Sequence, residues 1–341
     1  QRAMNKRALC SINGVLGEAF GKLYVDKYFP AEDKAKMVEL IDYLKKSFAQ
    51  HIQNLDWMSS TTKEKAMTKL NKFGVKVAYP DKWKDYSKLN MLSKSQGGNL
   101  YKNLENFTEW NYKEELAKVG KAVDKSEWLM PPHQVNAYYH PLNNEIVFPA
   151  AILQPPFFNP KADAAINFGG IGAVIGHEMI HGFDDSGAQF DADGNLIDWW
   201  TPEDKANFEK LTKSLAAEYD KDEPVKGNFV SGTFTNGENI ADLGGVNIAY
   251  DALQMYLKDK GNPGTISGFD QNQRFFLSWA TIWRTLQTEQ ALINRLKTDE
   301  HSPGLYRAFG PLVNTDAFYK AFDVKEGDKL YKKPEERIRI W

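Results

Sequence analysis

At 341 residues the chain is longer than one compact core usually supports, so two lobes are expected; 42% hydrophobic and 26% charged residues are the proportions of an ordinary globular protein. With 43 basic and 45 acidic residues the formal charge is −2, which gives no basic excess for nucleic acid or for an anionic membrane surface. No apolar run approaches the roughly 20 residues of a membrane-spanning helix, and the single cysteine, Cys10, excludes both an intrachain disulfide and a zinc held by paired thiolates.

Cys10 is expected to be a small buried side chain. The chain opens on Gln1 and carries no signal segment, which reads as an excised piece of something longer whose targeting information has been lost. From residue 31 to 55, Met37, Leu40, Ile41, Leu44, Phe48 and Ile52 recur at helical spacing. A second helix is expected from the Ser60–Thr61 cap to Gly74, and irregular structure from 79 to 98, where Pro80, Asn90, Gly97 and Gly98 interrupt. Another helix is expected over 100–119.

Between 134 and 149 the period changes to alternation. Val135, Ala137 and Tyr139 alternate, residues 141–144 supply turn chemistry, and Ile146 and Phe148 resume the pattern of a hairpin. Residues 164–183 form an apolar, glycine-containing helix with too few polar positions for a surface, so it is expected to be buried. Later helices are expected at 203–219, 236–258, 269–285 and 314–322. The fold class is mainly α with a small β-sheet (α+β). A boundary is read between 74 and 100, dividing a helical segment, 1–75, from the remainder of the chain, 76–341.

The chemistry sits in the buried helix, as His177-Glu178-Met179-Ile180-His181. Histidines four apart share one helical face, so both imidazoles reach one ion while Glu178 lies beside it. Zinc in such a site polarises a water and lowers its pKa, and a neighbouring carboxylate then takes the proton. Two satisfied core histidines are the competing reading. A catalytic zinc needs a third protein ligand, and none follows His181 closely. Glu238 is the best source, with Asp242 one turn on to accept the free N–H of a liganding histidine. The apolar neighbours Ile240, Leu243 and Val246 argue against a solvated acidic face. His301 is a candidate oxyanion donor, oriented by Asp299, and Arg307 would pair with a substrate carbonyl or brace the site. The segment 191–195 resembles the start of a calcium loop but reads better as a tight turn.

Taken together, several segments resemble the neprilysin family of zinc endopeptidases, which includes endothelin-converting enzyme and the bacterial oligopeptidase O group. They are VNAYY from Val135, IVFPAAILQPPFF from Ile146, GGIGAVIGHEMIHGFDD from Gly169, DWWT from Asp198, GENIADLGG from Gly237, DEHSPGLYR from Asp299 and the terminal Trp341. The resemblance implies a thermolysin-like catalytic lobe holding one Zn2+ per chain. Its ligands would be His177, His181 and Glu238, with Glu178 the general base acting on a water at the metal. It further implies that Asp242 and Asp184 hold the ligands, that His301 stabilises the transition state and that Arg307 binds substrate. Asn136 and Ala137 would hydrogen-bond the peptide backbone. Ile152, Phe157, Val174 and Trp283 would line an apolar pocket for the residue after the scissile bond. Without the resemblance those four read as core.

The implied activity is endopeptidase cleavage of oligopeptides. The alternative is an inactive peptide-binding fragment, because the family's second lobe is encoded largely before the point where this chain starts. A separate amino-terminal chain is then an expected partner. Animal members carry cysteines where this chain has Arg284, Val324 and Ile338, which favours a bacterial member of the cell envelope or periplasm, lipid-anchored or secreted forms included and the cytoplasm left open.

Overall fold

A computed structural model describes residues 2–341. Among the described residues the elements are twelve α-helices and three strands. In chain order they are α1 (Met4–Tyr28), α2 (Ala31–Asn54), α3 (Ser60–Asn71), β1 (Gly74–Ala78), α4 (Leu100–Leu116), β2 (Tyr138–His140) and β3 (Glu145–Pro149), then α5 (Ala164–Asn167), α6 (Ala173–His181), α7 (Pro202–Tyr219), α8 (Asn236–Lys260), α9 (Gln271–Ile282), α10 (Glu289–Thr298), α11 (Gly304–Phe309) and α12 (Asp316–Phe322). The protein is mainly helical with one small sheet, as its periodicity predicts. No helix among the described residues is long and apolar enough to cross a membrane.

Two compact units divide the chain. The smaller comprises the residues up to Ala31, Val77–Asn136 and Pro149–Ala151; the larger comprises Glu32–Lys76, Ala137–Phe148 and Ile152–Trp341. This differs from the single boundary at 75–76 read from the sequence, because a linear reading cannot register that the chain crosses several times. Residues 32–75 pack in the larger unit for a physical reason. The apolar stripe of α2 is buried, with Met37, Leu44, Phe48 and Ile52 fully so, and the Ser47 hydroxyl donates to the Ile248 carbonyl on α8 at 2.8 Å.

In the smaller unit, α1 buries only Gly17, Gly21 and Val25, with Pro131 and Pro132 over the two glycines. Cys10 lies on the uncovered part of that helix and is exposed, correcting the expectation of a buried thiol. Helix α1 itself, like α10 and α11, has no counterpart in the sequence reading. Helix α1 lacks a wide apolar stripe, α10 buries no residue, and α11 is under two turns long.

The sheet order is β1-β3-β2. Strands β2 and β3 form the expected antiparallel hairpin, pairing Tyr138 with Val147 and His140 with Glu145. Asn144 closes the turn at φ 50°, and its side chain donates to the carbonyls of Lys69 and Ala192. Strand β3 does not alternate in burial: it is central and all five residues are buried.

The expected continuous helix over 164–183 is interrupted. A π-helical turn over Phe168–Gly172 separates α5 from α6, and there the Ile171 amide donates to the Phe157 carbonyl at 2.7 Å. A Cβ on Gly170 would sit 2.4 Å from that same carbonyl, so the bulge is where a loop presses on the helix backbone. Every residue of α6 from Ala173 to Ile180 is buried.

Helix α8 is the element that α6 packs against. At their crossing a Cβ on Gly176 would lie 2.7 Å from the Gly245 carbonyl oxygen, and one on Gly245 would lie 2.5 Å from the His177 amide nitrogen. The two backbones therefore touch, which only glycine at both positions permits. Helices α3 and α7 are fastened by Asp204, which is 2% exposed. Its carboxylate accepts from the Ser59 amide at 2.9 Å and from the hydroxyls of Ser59, Thr62 and Thr201 at 2.5, 2.5 and 2.7 Å. Ser59, held this way, caps α3 one residue before the cap expected from sequence.

Two consequences are measurable. Gly245→Ala is expected to lower the unfolding free energy by about 3 kcal/mol, the upper end for overpacking, because backbone and not a pliant side chain must yield; urea unfolding reads this directly. For Asp204, burial would raise the carboxyl pKa, but the hydroxyl and amide donors outweigh it and hold it at about 2. Its stabilisation is therefore complete above the ordinary carboxylate range near pH 4 and is lost as pH falls through about 2. Asp204→Asn is expected to cost about 2 kcal/mol at pH 7, with the difference from the parent shrinking in acid.

Candidate active site

Helix α6 puts His177 and His181 one turn apart on the face toward α8, with their Nε2 atoms 2.9 Å from each other. Helix α8 answers with Glu238 and Asp242, also one turn apart. Glu238 Oε2 lies 3.2 Å from His177 Nε2, and Oε1 lies 3.4 Å from His181 Nε2. One donor atom from each of His177, His181 and Glu238 falls within 4.8 Å of the others. Glu238 belongs equally to a second such group with Glu300 and His301, so both groups describe one site.

The far nitrogen of each histidine is engaged. His177 Nδ1 faces Asp242 Oδ1 at 2.8 Å, and His181 Nδ1 faces Asp184 Oδ2 at 2.7 Å. A carboxylate at Nδ1 calls for the proton there, which leaves the Nε2 lone pairs pointing at each other and at Glu238. Lone pairs and a carboxylate converging within about 3 Å repel unless a cation lies among them. This donor set, two imidazole nitrogens and a carboxylate oxygen with each imidazole braced behind, fits zinc with a position left open.

The electrostatics carry the same sign. Burial resists charge on His181, but Glu238 and Asp184 outweigh it and move the pKa up to about 10. Burial and His181 resist charge on His177, and Asp242 with Glu238 still raises it. Burial would raise Glu238, yet His181, His177 and His301 hold it well below the usual carboxylate range. The cluster draws in positive charge.

Glu178, buried beside His177, has its pKa raised by burial against the opposing fields of the two histidines. His301 presents Nε2 to Glu238 Oε2 at 3.1 Å, and Asp299 Oδ1 holds its Nδ1 at 2.7 Å and its amide at 3.0 Å. Arg295 pairs with the other Asp299 oxygen at 2.9 Å. Arg307 grips Asp242 with two bonds of 2.7 Å, and its guanidinium lies 3.9 Å from the Trp283 ring centre. Asp242 thus serves His177 and Arg307 together.

The sequence reading missed one tie. Asn239 and Ser302, both fully buried, join through a 2.8 Å hydrogen bond that anchors the His301 loop to α8. Asn239 sits beside Glu238 in the chain, but nothing in the sequence alone names its partner 63 positions away. The apolar quartet is less unified. Trp283 lines a cavity of about 480 Å3 with Leu286, Leu292, Pro303, Leu305 and Ala308. Ile152, Phe157 and Val174 are not among its walls; Ile152 and Val174 are buried and Phe157 is half-buried. Asn136 belongs to the smaller unit and Ala137, buried, to the larger. The 191–195 segment is the tight turn expected, with Asp191 Oδ1 accepting from the amides of Asp193 and Asn195 and Gly194 at φ 84°.

A family model described as peptidase family M13 matches residues 136–338, and a second of the same description matches residues 1–80. Human neprilysin is 37% identical over 348 aligned residues, covering 98% of this chain and 46% of that protein. A neutral endopeptidase of Lactococcus lactis is 38% identical, covering 100% of this chain and 52% of that protein. The crystal structure of the Mycobacterium tuberculosis zinc metalloprotease Zmp1 in complex with inhibitor superposes with a TM-score of 0.92 at 48% identity, over 100% of this chain and 51% of that one. The chain spans about half the length of the curated relatives it matches.

Because a metal ligand must be unprotonated, cation binding and proton loss are linked here. Titrating zinc into the metal-free chain at pH 7 is expected to release about one to two protons. The apparent affinity rises with pH, and calorimetry in buffers of different ionisation enthalpy measures both.

Proposed function

The chain belongs to peptidase family M13, and from that premise we propose that it is a zinc-dependent endopeptidase that hydrolyses oligopeptides with preference for an apolar residue after the scissile bond. The observation that carries this reading is the convergence of His177 Nε2, His181 Nε2 and the Glu238 carboxylate, with Asp242 and Asp184 behind the two imidazoles. These three residues would hold one zinc ion per chain, since the two possible donor groups share Glu238. When bound, the metal supplies a positive centre that lowers the pKa of water and polarises a carbonyl.

The chain's own groups do the rest. Glu178 would take the proton from the attacking water; a carboxylate whose pKa is raised by burial is better matched to that proton than an exposed one. It would then pass the proton to the departing amine. His301 would donate from Nε2 to the oxygen that gains charge as the carbonyl is attacked. Its pKa is raised, although burial opposes it, through Glu238 and Asp299. Asp299 prevents the ring from turning. Arg307, pinned by Asp242 and Trp283, would offer its remaining N–H groups to a substrate carbonyl.

Asn136 and Ala137 precede β2, an edge strand in the order β1-β3-β2, which supports their pairing with a peptide backbone by strand addition. Ile152, Phe157, Val174 and Trp283 are the proposed contacts of the apolar residue. A bacterial envelope location is part of the same proposal. It rests on the resemblance, in which animal members carry cysteines that this chain lacks. A second reading is peptide binding without turnover.

Chelator-sensitive hydrolysis by the parent separates the two, and Glu178→Gln tests the proton acceptor. The variant is expected to bind zinc as the parent does and to lose about a thousandfold in kcat on a quenched oligopeptide. Activity near the parent's would sink the role of Glu178. A parent that shows no chelator-sensitive hydrolysis would favour the binding reading.

A further inference from the structure

Lys69 lies outside every motif described so far, and it is only 1% exposed. It reaches from α3 beneath the turn that follows α6. Its Nζ donates to the carbonyls of Gly187 and Phe190, both at 2.7 Å, and stands 5.4 Å from the Phe183 ring centre and 5.9 Å from that of Tyr139. Two carbonyls and two aromatic faces cage one ammonium. Burial pulls its pKa down to about 7 against the opposing pull of Asp184 and Asp191. A methionine would fill this space without the desolvation cost, so shape alone does not explain a cation here.

The cage touches the site at one place. Gly187, whose carbonyl takes the ammonium, gives its amide to Asp184 Oδ1 at 2.6 Å, and the Ser186 amide adds a second bond at 2.8 Å. With Oδ1 so held, Oδ2 is aimed at His181 Nδ1, 2.7 Å away. Phe183, on the other side of Asp184, packs over the same ammonium. The hydrogen bonds run in one line, Lys69 to Gly187 to Asp184 to His181.

We propose that Lys69 is a positioning residue for the metal site, clamping the Gly187–Phe190 turn so that Asp184 holds His181 in its ligating orientation. This rests on the zinc site proposed above. Outer groups that orient a liganding histidine typically govern metal affinity by about 10- to 100-fold. Lys69, one link further out, is expected to govern about tenfold.

The test is the zinc dissociation constant, measured by chelator competition, in the 341-residue chain and its variants. Lys69→Met is expected to weaken zinc about tenfold and Asp184→Asn by about 10- to 100-fold, with the double variant no weaker than Asp184→Asn alone. The visible spectrum of the cobalt-substituted chain is expected to shift in Lys69→Met. Asp204→Asn serves as the control: it destabilises the same unit through α3 yet is expected to leave both readouts unchanged. If Lys69→Met does not fold, Lys69→Gln keeps one N–H for a carbonyl and is expected to lose about threefold. Zinc affinity and cobalt spectrum at the parent's values in a folded Lys69 variant, or losses that simply add to those of Asp184→Asn, overturn the proposal. A parent chain that binds no zinc overturns the metal reading first, and this one with it.

Discussion

The site depends on one contact, the crossing of α6 and α8 at Gly176 and Gly245. Backbone meets backbone there, and a Cβ on either residue would fall 2.5–2.7 Å from main-chain atoms of the other helix. Close approach is what lets short side chains do the work. His177 and His181 on one helix reach Glu238 and Asp242 on the other at 2.8–3.4 Å. A methyl group added at the crossing would meet main-chain atoms of the facing helix, so the two backbones could not stay this close.

Charge is distributed across that crossing with economy. Asp242 accepts from His177 and from Arg307, so one buried carboxylate orients an imidazole and a guanidinium together. Trp283 covers the free face of that arginine. Asp184 does for His181 what Asp242 does for His177, but from a turn and not from a helix. A turn is the less rigid support, and it is the one with a buried ammonium beneath it. The two histidines are therefore braced by different means: a helix-borne salt bridge behind one, and a clamped loop behind the other.

The helices with a wide apolar stripe were legible from periodicity alone. Helix α2 begins at residue 31 as expected, and α7, α8 and α12 lie within two residues of their expected starts. The hairpin was legible too, through the turn chemistry of residues 141–144. What periodicity missed has physical causes. Helix α10 buries no residue and so leaves no pattern to detect, while the amino-terminal half of α1 is similarly uncovered. In strand β3, covered on both faces, Val147 is buried along with Ile146 and Phe148, which alternation alone does not foretell. The π-helical turn arises from a loop pressing on Gly170, a neighbour fixed only after folding.

By itself the sequence determined which side chains each helix presents together. Spacing of four along a helix puts His177 and His181 on one face, and Glu238 and Asp242 on another, because helical geometry is local. It also excluded a zinc held by paired thiolates, since the sequence has one cysteine. Only the tertiary structure decided how these faces meet, which carboxylate stands behind which imidazole, and that Asn239 reaches Ser302 and Lys69 reaches Gly187. Those pairings join residues 63 and 118 positions apart. Their partners are chosen by packing, and packing leaves no mark in the spacing of a linear chain.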